Sequence, residues 1–356
     1  MAKKNSKEVD DEPEDLVVSA VSKKWQGSLI SPNAIISDTT NSVIGISPSL
    51  NLALNGGCIT GSGLQLSGKA KSGKSTTAAV ICAQAQKQGR KCYWLSIENR
   101  MRRRDLLGIE GLKLDQENFE IVKSTKNKIL SGEDFLDIGL ELVKNAPGSV
   151  IVFDSLSALC SEKELIDDTI GTKSFGGFAQ TVKKFTKIIS NLVPVTDCLV
   201  IYICHVYESM TGYGGQVTGS GTGPKYFSDT ILRIKSTKPL LAGDKQIGQE
   251  ITWALDNTPL GKEKMVTPPT SVLRYGVGLC RLTEILTLAP DVNLISKGAG
   301  GRYVINGVKL HGTEAAYEYL LENPDVADDL EYEIYNSLNP DIISLLNLKK
   351  KETISA

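Results

Sequence analysis

The octapeptide Gly68-Lys69-Ala70-Lys71-Ser72-Gly73-Lys74-Ser75 constrains this chain more than any other stretch. It fits G-x-x-x-x-G-K-[ST], the Walker A phosphate loop, and it lies where such a loop must lie. Leu64-Gln65-Leu66-Ser67 before it reads as a strand, and Ser75 to about Gln88 after it as a helix stopped by Gly89. Glycines let backbone N–H groups curl inward round a phosphate, and the helix terminus adds about half a positive charge. Gly68 through Thr76 form the nucleotide-binding set, with Lys74 placed for the β- and γ-phosphates and the Ser75 hydroxyl for Mg²⁺. A surface loop matching by chance would have no need of a strand before it and a helix after it. The expectation is an α/β fold that binds ATP and Mg²⁺.

The rest of the chain supplies the sheet that such a loop needs. Strand signals at Lys91–Ile97, Val150–Phe153 and Cys198–Cys204 alternate with helical stretches at 133–145, capped by Ser131 or Asp134, and at 175–193. Further strands are expected at Asp229–Ile234 and 249–256. Short, wholly apolar strands between helices signify a mostly parallel central sheet flanked by helices. Residues 14–25 place Leu16, Val17, Ala20, Val21 and Trp25 at helical spacing, and 26–48 read as a linker with one strand near Ala34-Ile35-Ile36. From 279–288 a smaller unit begins, with a hairpin turn at Asn306-Gly307 and helices at about 313–322 and 326–337. The expected division is a disordered tail at 1–13, an N-terminal helix and linker at 14–48, a nucleotide-binding core at 49–275, a small C-terminal α+β domain at 276–340 and a tail at 341–356.

Composition narrows the class. The chain has 40 Lys and Arg against 41 Asp and Glu, a net charge of −1, so it is no histone-like basic protein. Local basic grooves remain open to nucleic acid. No run approaches the roughly 20 apolar residues of a membrane helix, and the N-terminus shows no secretory h-region. Seven cysteines without a CxxC pair and only two histidines exclude a Cys/His zinc site and suit reduced thiols in a cytosol-like compartment.

Three further residues fit nucleotide chemistry. Asp154 directly follows the apolar run Val150–Phe153 and offers a second Mg²⁺ contact. Glu98 ends the strand after the phosphate loop, where a carboxylate can orient water toward the γ-phosphate. His205 ends another strand and can hydrogen-bond a phosphate and report its presence, although a satisfied strand-end histidine would look the same. Residues 207–226 carry too many glycines for a packed element and predict a mobile loop, with Tyr207, Tyr213, Lys225 and Tyr226 suited to stack on bases and touch phosphate. Residues 161–174 form a second irregular segment at the same sheet edge.

In this order, the phosphate loop, Glu98, Val150-Ile151-Val152-Phe153-Asp154-Ser155, His205-Val206-Tyr207-Glu208, Gly219 to Tyr226 and Ser228-Asp229-Thr230 resemble the core of RecA-type strand-exchange recombinases, most closely the phage UvsX type. The likeness begins near Ser49-Leu50-Asn51-Leu52-Ala53-Leu54, continues through Tyr275-Gly276-Val277-Gly278 and reaches Asn323-Pro324-Asp325, roughly residues 14–340. It implies a RecA-like P-loop ATPase that assembles as a helical filament on single-stranded DNA and exchanges strands with a homologous double-stranded DNA. ATP would lie between subunits, with the N-terminal helix docking on the next protomer. By the same resemblance, Lys262 and Lys264 reach the neighbour's γ-phosphate. Lys173, Tyr213, Gly214, Gly215, Gly221, Thr222, Gly223 and Lys225 fall in the two DNA-binding loops. A single-strand-binding protein and a loading mediator are implied partners, and the cytoplasm, of a host cell for a phage protein, is the implied location.

The sequence departs from the bacterial pattern in two places. Lys69 stands where proline is usual. The stretch Asn99-Arg100-Met101-Arg102-Arg103-Arg104 is shorter and lacks the Asp and Tyr that contact adenine, leaving an arginine cluster that suits an exposed helix face, an interface or a nucleic-acid patch. Two other functions share these motifs: a replicative helicase-type motor with the same core, and a non-catalytic nucleotide-binding DNA scaffold.

Overall fold

The computed structural model describes residues 23–25, 28, 42–166, 177–208, 216–219, 221–259, 268–298 and 300–350. The chain divides into the units Met1–Asn41 and Ser42–Ala356, and every element below belongs to the second. The expected helix at 14–25, apart from its last three residues, and the strand near Ala34 lie outside the described residues.

The strands in chain order are β1 (Val43–Ile44), β2 (Cys58–Ile59), β3 (Ser62–Gly68), β4 (Cys92–Ser96), β5 (Phe119–Val122), β6 (Val150–Asp154), β7 (Leu199–Glu208), β8 (Gln216–Thr218), β9 (Thr230–Ala242), β10 (Lys245–Asn257), β11 (Thr270–Arg274), β12 (Gly278–Leu279), β13 (Ser296–Gly298), β14 (Arg302–Ile305) and β15 (Val308–His311). The helices are α1 (Pro48–Ala53), α2 (Lys74–Lys87), α3 (Arg103–Leu107), α4 (Gly132–Asn145), α5 (Glu162–Ile166), α6 (Gly177–Thr196), α7 (Gly223–Phe227), α8 (Arg281–Leu288), α9 (Thr313–Glu322), α10 (Pro324–Leu338) and α11 (Asp341–Leu345).

The main sheet runs β12-β11-β10-β9-β3-β7-β6-β4-β5, with β8 paired to β7. From β9 to β5 its neighbours are parallel; from β9 to β12 they are antiparallel. This is the expected mostly parallel α/β sheet, extended on one side by a long hairpin. Alternation along the strands feeds two cores. Leu64, Leu66, Val150, Val152, Ile201 and Ile203 pack with Ala78, Ile81 and Ala85 of α2. Ile151, Phe153, Val200 and Tyr202 face the other way, onto Phe135 and Val143 of α4 and Phe185 and Ile189 of α6. Helix α4 begins with a capping box: Asp134 N donates to Ser131 Oγ (3.1 Å) and Ser131 N to Asp134 Oδ2 (2.9 Å). Gly139 lets this helix lie directly on the sheet, since a Cβ there would stand 2.2 Å from Phe153 Cζ.

A third core gathers α8 to α10 around Tyr303 and Ile305. The β14–β15 hairpin turns at Asn306 (φ 48°) and Gly307 (φ 79°), both left-handed as a type I′ turn requires. Glu284 of α8 is buried, and its Oε2 accepts from Ser49 N at the start of α1 (2.9 Å) while Oε1 accepts from Val272 N (3.2 Å). Among the described residues no helix is long and apolar enough to cross a membrane.

Several elements differ from expectation. The strand expected at Asp229–Ile234 runs on to Ala242 and forms a 13-residue hairpin arm with β10. Its outer half, Lys235 to Pro239, is exposed and so carries no hydrophobic periodicity. Helix α5 occupies part of the segment read as irregular, and β8 and α7 occupy parts of the glycine-rich stretch. The last residues, read as a tail, include α11, held by buried Ile342 and by Asn339 Nδ2 donating to Asn55 Oδ1 (2.9 Å).

Candidate active site

The carboxyl ends of β3, β4, β6 and β7 meet at one edge of the sheet because the register pairs Gly68 with His205 and Ser96 with Asp154. A cleft of about 940 Å³ opens there, lined by residues 70–76, Glu98, Arg100, Asp154, His205, Gln249 and Tyr275. Parallel α/β sheets place ligands at such an edge.

The phosphate loop joins β3 to α2. Gly73 (φ 107°) stands at the helix N-cap, and a Cβ on it would meet Ile251 Cδ1 at 2.9 Å and Leu273 Cδ1 at 3.0 Å. Only glycine suits both the dihedral and the space. Gln249 Nε2 donates to the Ser72 carbonyl (3.1 Å) and Ser72 Oγ to the Lys69 carbonyl (2.8 Å). Lys74 is 4 % exposed, and its ammonium donates to the carbonyls of Gly68 (3.0 Å) and Lys69 (2.7 Å). Burial lowers its pKa, against the pull of Asp154 and Glu98.

Burial pushes the Asp154 carboxyl up to about 6, although the Ser75 hydroxyl donates to it and Lys74 is near. A half-buried carboxylate beside a serine hydroxyl, both hard oxygen donors, fits Mg²⁺ bound jointly with nucleotide phosphates. No group of three or more His, Cys, Asp or Glu among the described residues makes a metal site of its own. The Asp154–Ser155 peptide is cis.

Glu98 is fixed from one side. Its Oε1 accepts from Ser155 Oγ (2.9 Å) and lies 3.0 Å from His205 Nε2, while Arg100 Nη1 is 3.5 Å from Oε2. Burial raises the Glu98 pKa, but the hydrogen bonds from His205 and Ser155 and the charges of His205 and Arg100 outweigh it, so the net shift is downward. A carboxylate held ionised at the mouth of a phosphate site can orient and deprotonate water. His205, expected to touch phosphate, here meets Glu98; its backbone N–H donates to Ser157 Oγ (2.9 Å) and its carbonyl accepts from Gly219 N (3.0 Å).

The DNA-loop positions are scattered. Lys173, Tyr213, Gly214 and Gly215 lie outside the described residues, as do Lys262 and Lys264, expected at the neighbour's γ-phosphate and not in these loops. Thr222 and Lys225 are exposed. Gly223 is buried against α6, where a Cβ would sit 2.8 Å from Lys183 Cα, so its glycine serves packing. Gly221 (φ 75°) makes the bend before α7. Next to this bend, α6 exposes Lys183, Lys184 and Lys187. Sequence reasoning passed over this basic face, although its spacing marks one side of a helix. It also passed over Gln249 as a P-loop support and Arg100 as Glu98's neighbour; both need tertiary contacts to be seen.

The profile of the RecA N-terminal domain family matches residues 17–271. Protein RecA of Phytoplasma mali (strain AT) is 30 % identical over 324 residues, covering 89 % of this chain and 92 % of that protein. Protein RecA of Haemophilus ducreyi is 29 % identical over 301 residues, 83 % of this chain and 76 % of its own. DNA repair protein recA homolog 3, mitochondrial, of Arabidopsis thaliana is 26 % identical over 89 % of this chain and 71 % of its own.

Proposed function

The chain belongs to the RecA family, and from that premise we propose how its cleft and its loops work. It is an ATP-dependent DNA recombinase of recombination and repair, a DNA-dependent ATPase that uses Mg²⁺, binds single- and double-stranded DNA and forms filaments. The observation that carries the mechanism is the convergence of Lys74, Ser75, Asp154 and Glu98 on one cleft.

Within that reading, Lys74 releases the loop carbonyls and binds the β- and γ-phosphates. Ser75 and Asp154 would hold Mg²⁺, which would supply charge neutralisation on the phosphate oxygens when bound. Glu98 orients a water whose oxygen bonds to the γ-phosphorus as the bond to the β–γ bridging oxygen breaks. The water proton passes through Glu98 to solvent, leaving ADP and phosphate. His205 and Ser155 keep Glu98 ionised and aimed. Lys262 and Lys264 approach from the neighbouring subunit. Lys173, Tyr213, Gly214, Gly215, Gly221, Thr222 and Lys225, joined by Lys183, Lys184 and Lys187, make the DNA surface, bound through phosphates and stacked bases. We assign residues 14–48 to protomer docking, 49–275 to the ATPase core and 276–340 to a C-terminal domain. We place the chain in the UvsX-like phage branch, acting in the host cytoplasm with a single-strand-binding protein and a loading mediator; the sequence Ser220-Gly221-Thr222-Gly223-Pro224-Lys225-Tyr226 supports that branch.

The test mixes the protein with single-stranded DNA, Mg²⁺, ATP and a homologous duplex. DNA-stimulated ATP turnover with joint-molecule formation, both lost in Lys74→Ala, is expected. Unwinding of a forked duplex without pairing would indicate a helicase-type motor. DNA binding with no turnover, unchanged by Lys74→Ala, would indicate a scaffold.

A further inference from the structure

The arginine cluster after β4 is the sequence feature that the ATPase reading leaves unused. Its first member stands apart from the others. β4 ends in a turn in which Asn99 N donates to the Ser96 carbonyl (3.2 Å), and Ile97 N and Glu98 N donate to the Asp154 carbonyl (2.9 and 3.4 Å). Asn99 takes the left-handed conformation (φ 50°), which asparagine tolerates better than most residues. The turn is thereby tied to the strand end that carries Asp154, and it turns the chain so that Arg100 lines the same cleft as the phosphate loop.

The Arg100 side chain is 85 % exposed, and its one ion-pair neighbour among the described residues is Glu98 Oε2, at 3.5 Å. So exposed and loose a pair adds little to stability. Glu98 shows a matching asymmetry: Oε1 holds both Ser155 and His205, while Oε2 faces Arg100. A planar guanidinium with five donors therefore stands beside the free oxygen of the carboxylate that orients water, with most donors uncommitted. Lys74 approaches the phosphates from the loop side. On the water side, where negative charge spreads over the γ-phosphoryl oxygens in the transition state, Arg100 is the cation of this chain that stands against Glu98. An arginine given in cis can fill this place in phosphoryl transfer.

We propose that Arg100 is a catalytic cation supplied in cis: with ATP in the cleft, its guanidinium bridges the γ-phosphate and Glu98 Oε2. The proposal rests on reading the cleft as an ATP site. It binds the γ-phosphate and leaves the two phosphates of ADP to the loop. Arg100 thus separates ATP from ADP and readies Glu98 in one contact.

The test uses the full chain on single-stranded DNA, with Arg100→Ala and Arg100→Lys. Displacement of a fluorescent nucleotide gives affinities for ADP and for a non-hydrolysable ATP analogue. Arg100→Ala is expected to keep ADP affinity within about twofold, lose about tenfold in preference for the triphosphate analogue, and lower kcat roughly 100-fold with a smaller change in KM. Arg100→Lys, with the charge but not the fork, recovers part of both. An unchanged preference together with an unchanged kcat would overturn the proposal. So would loss of filament sedimentation with the nucleotide preference intact, which would make Arg100 an interface residue. Lys74→Ala separates the two readings: if it abolishes binding of both nucleotides while Arg100→Ala changes nothing, the ATP site stands and Arg100 leaves it. If wild type binds neither nucleotide, the ATP site falls and Arg100 falls with it.

Discussion

Replacing His205 by alanine tests the arrangement around Glu98 most directly. Glu98 Oε1 accepts from Ser155 Oγ at 2.9 Å and, with the proton on Nε2, from His205 at 3.0 Å. His205→Ala removes one of these two donors. A hydrogen bond to a charged group contributes about 1.5–3 kcal/mol net, and the lower end applies because both side chains are 23 % exposed and water replaces part of the contact. At about 1.4 kcal/mol per tenfold in rate, kcat falls roughly 10-fold and at most about 100-fold. The pH profile should move too. Burial raises the Glu98 pKa, and the hydrogen bond to His205, ahead of that from Ser155 and of the charges nearby, is the first force that turns the net shift downward. Without His205 the carboxyl protonates at higher pH, so the acid limb of kcat moves toward neutrality. His205→Gln returns a donor without the charge: kcat should recover while the limb recovers only in part. The assay is DNA-stimulated phosphate release from pH 5 to 9, with thermal melting as a control. Unchanged kcat and an unmoved limb in His205→Ala would refute the role given to this contact, as would a loss confined to KM.

Gly139→Ala should destabilise the chain by about 1–2 kcal/mol in urea titration, because overpacking against Phe153 Cζ at 2.2 Å costs about 1–3 kcal/mol and helix propensity returns less than 1. Glu284 should make stability fall with rising pH. Burial pushes its carboxyl from 4.5 up to about 7, so its contribution is complete below the unfolded value and disappears as pH passes 7. At about 1.4 kcal/mol per unit that is about 3 kcal/mol between pH 4 and 8, and Glu284→Gln should flatten that part of the profile in denaturation at several pH values. Lys183→Ala and Lys187→Ala should each weaken single-stranded DNA binding without sequence preference and lower the slope of log affinity against log salt by about 1, measured by fluorescence anisotropy.

What could be read in the sequence was whatever local physics fixes at close spacing. The phosphate loop was legible because Gly68, Gly73, Lys74 and Ser75 must hold fixed distances along the chain to cradle phosphate. The buried parallel strands were legible because Val150–Phe153 and Leu199–Cys204 have both faces in the core and so read as unbroken apolar runs. Helix α4 declared its start through Ser131 and Asp134, and α2 its end through Gly89 (φ 76°). Edge strand β5 was not legible: four residues long, it buries only Phe119 fully. Helix α3 buries no residue fully and sets only Leu106, half-buried, against the core. The outer half of the β9–β10 arm pairs by backbone alone, and no side-chain pattern announces that. Around the cleft, Glu98 and Asp154 could be proposed from their places at strand ends. Gln249 and Arg100 could not, because their meaning lies in Ser72 and in Glu98 Oε2, contacts made across the sheet or round a turn.

The net charge of −1 takes on another meaning in three dimensions. Lys71, Lys74, Arg100, Arg102 and Arg104 line the nucleotide cleft against Glu98, Asp105 and Asp154, leaving it positive for a polyanion. The face of α6 adds Lys183, Lys184 and Lys187, none ion-paired with a described residue. On α10, acids are held in ion pairs: Asp328 and Glu331 hold Arg281, and Glu333 holds Lys350 at 2.6 Å. A chain arranged in this way attracts phosphate locally without the long-range field that would bind it to any polyanion. In a filament of such subunits, the affinity for DNA then grows with the number that lie side by side.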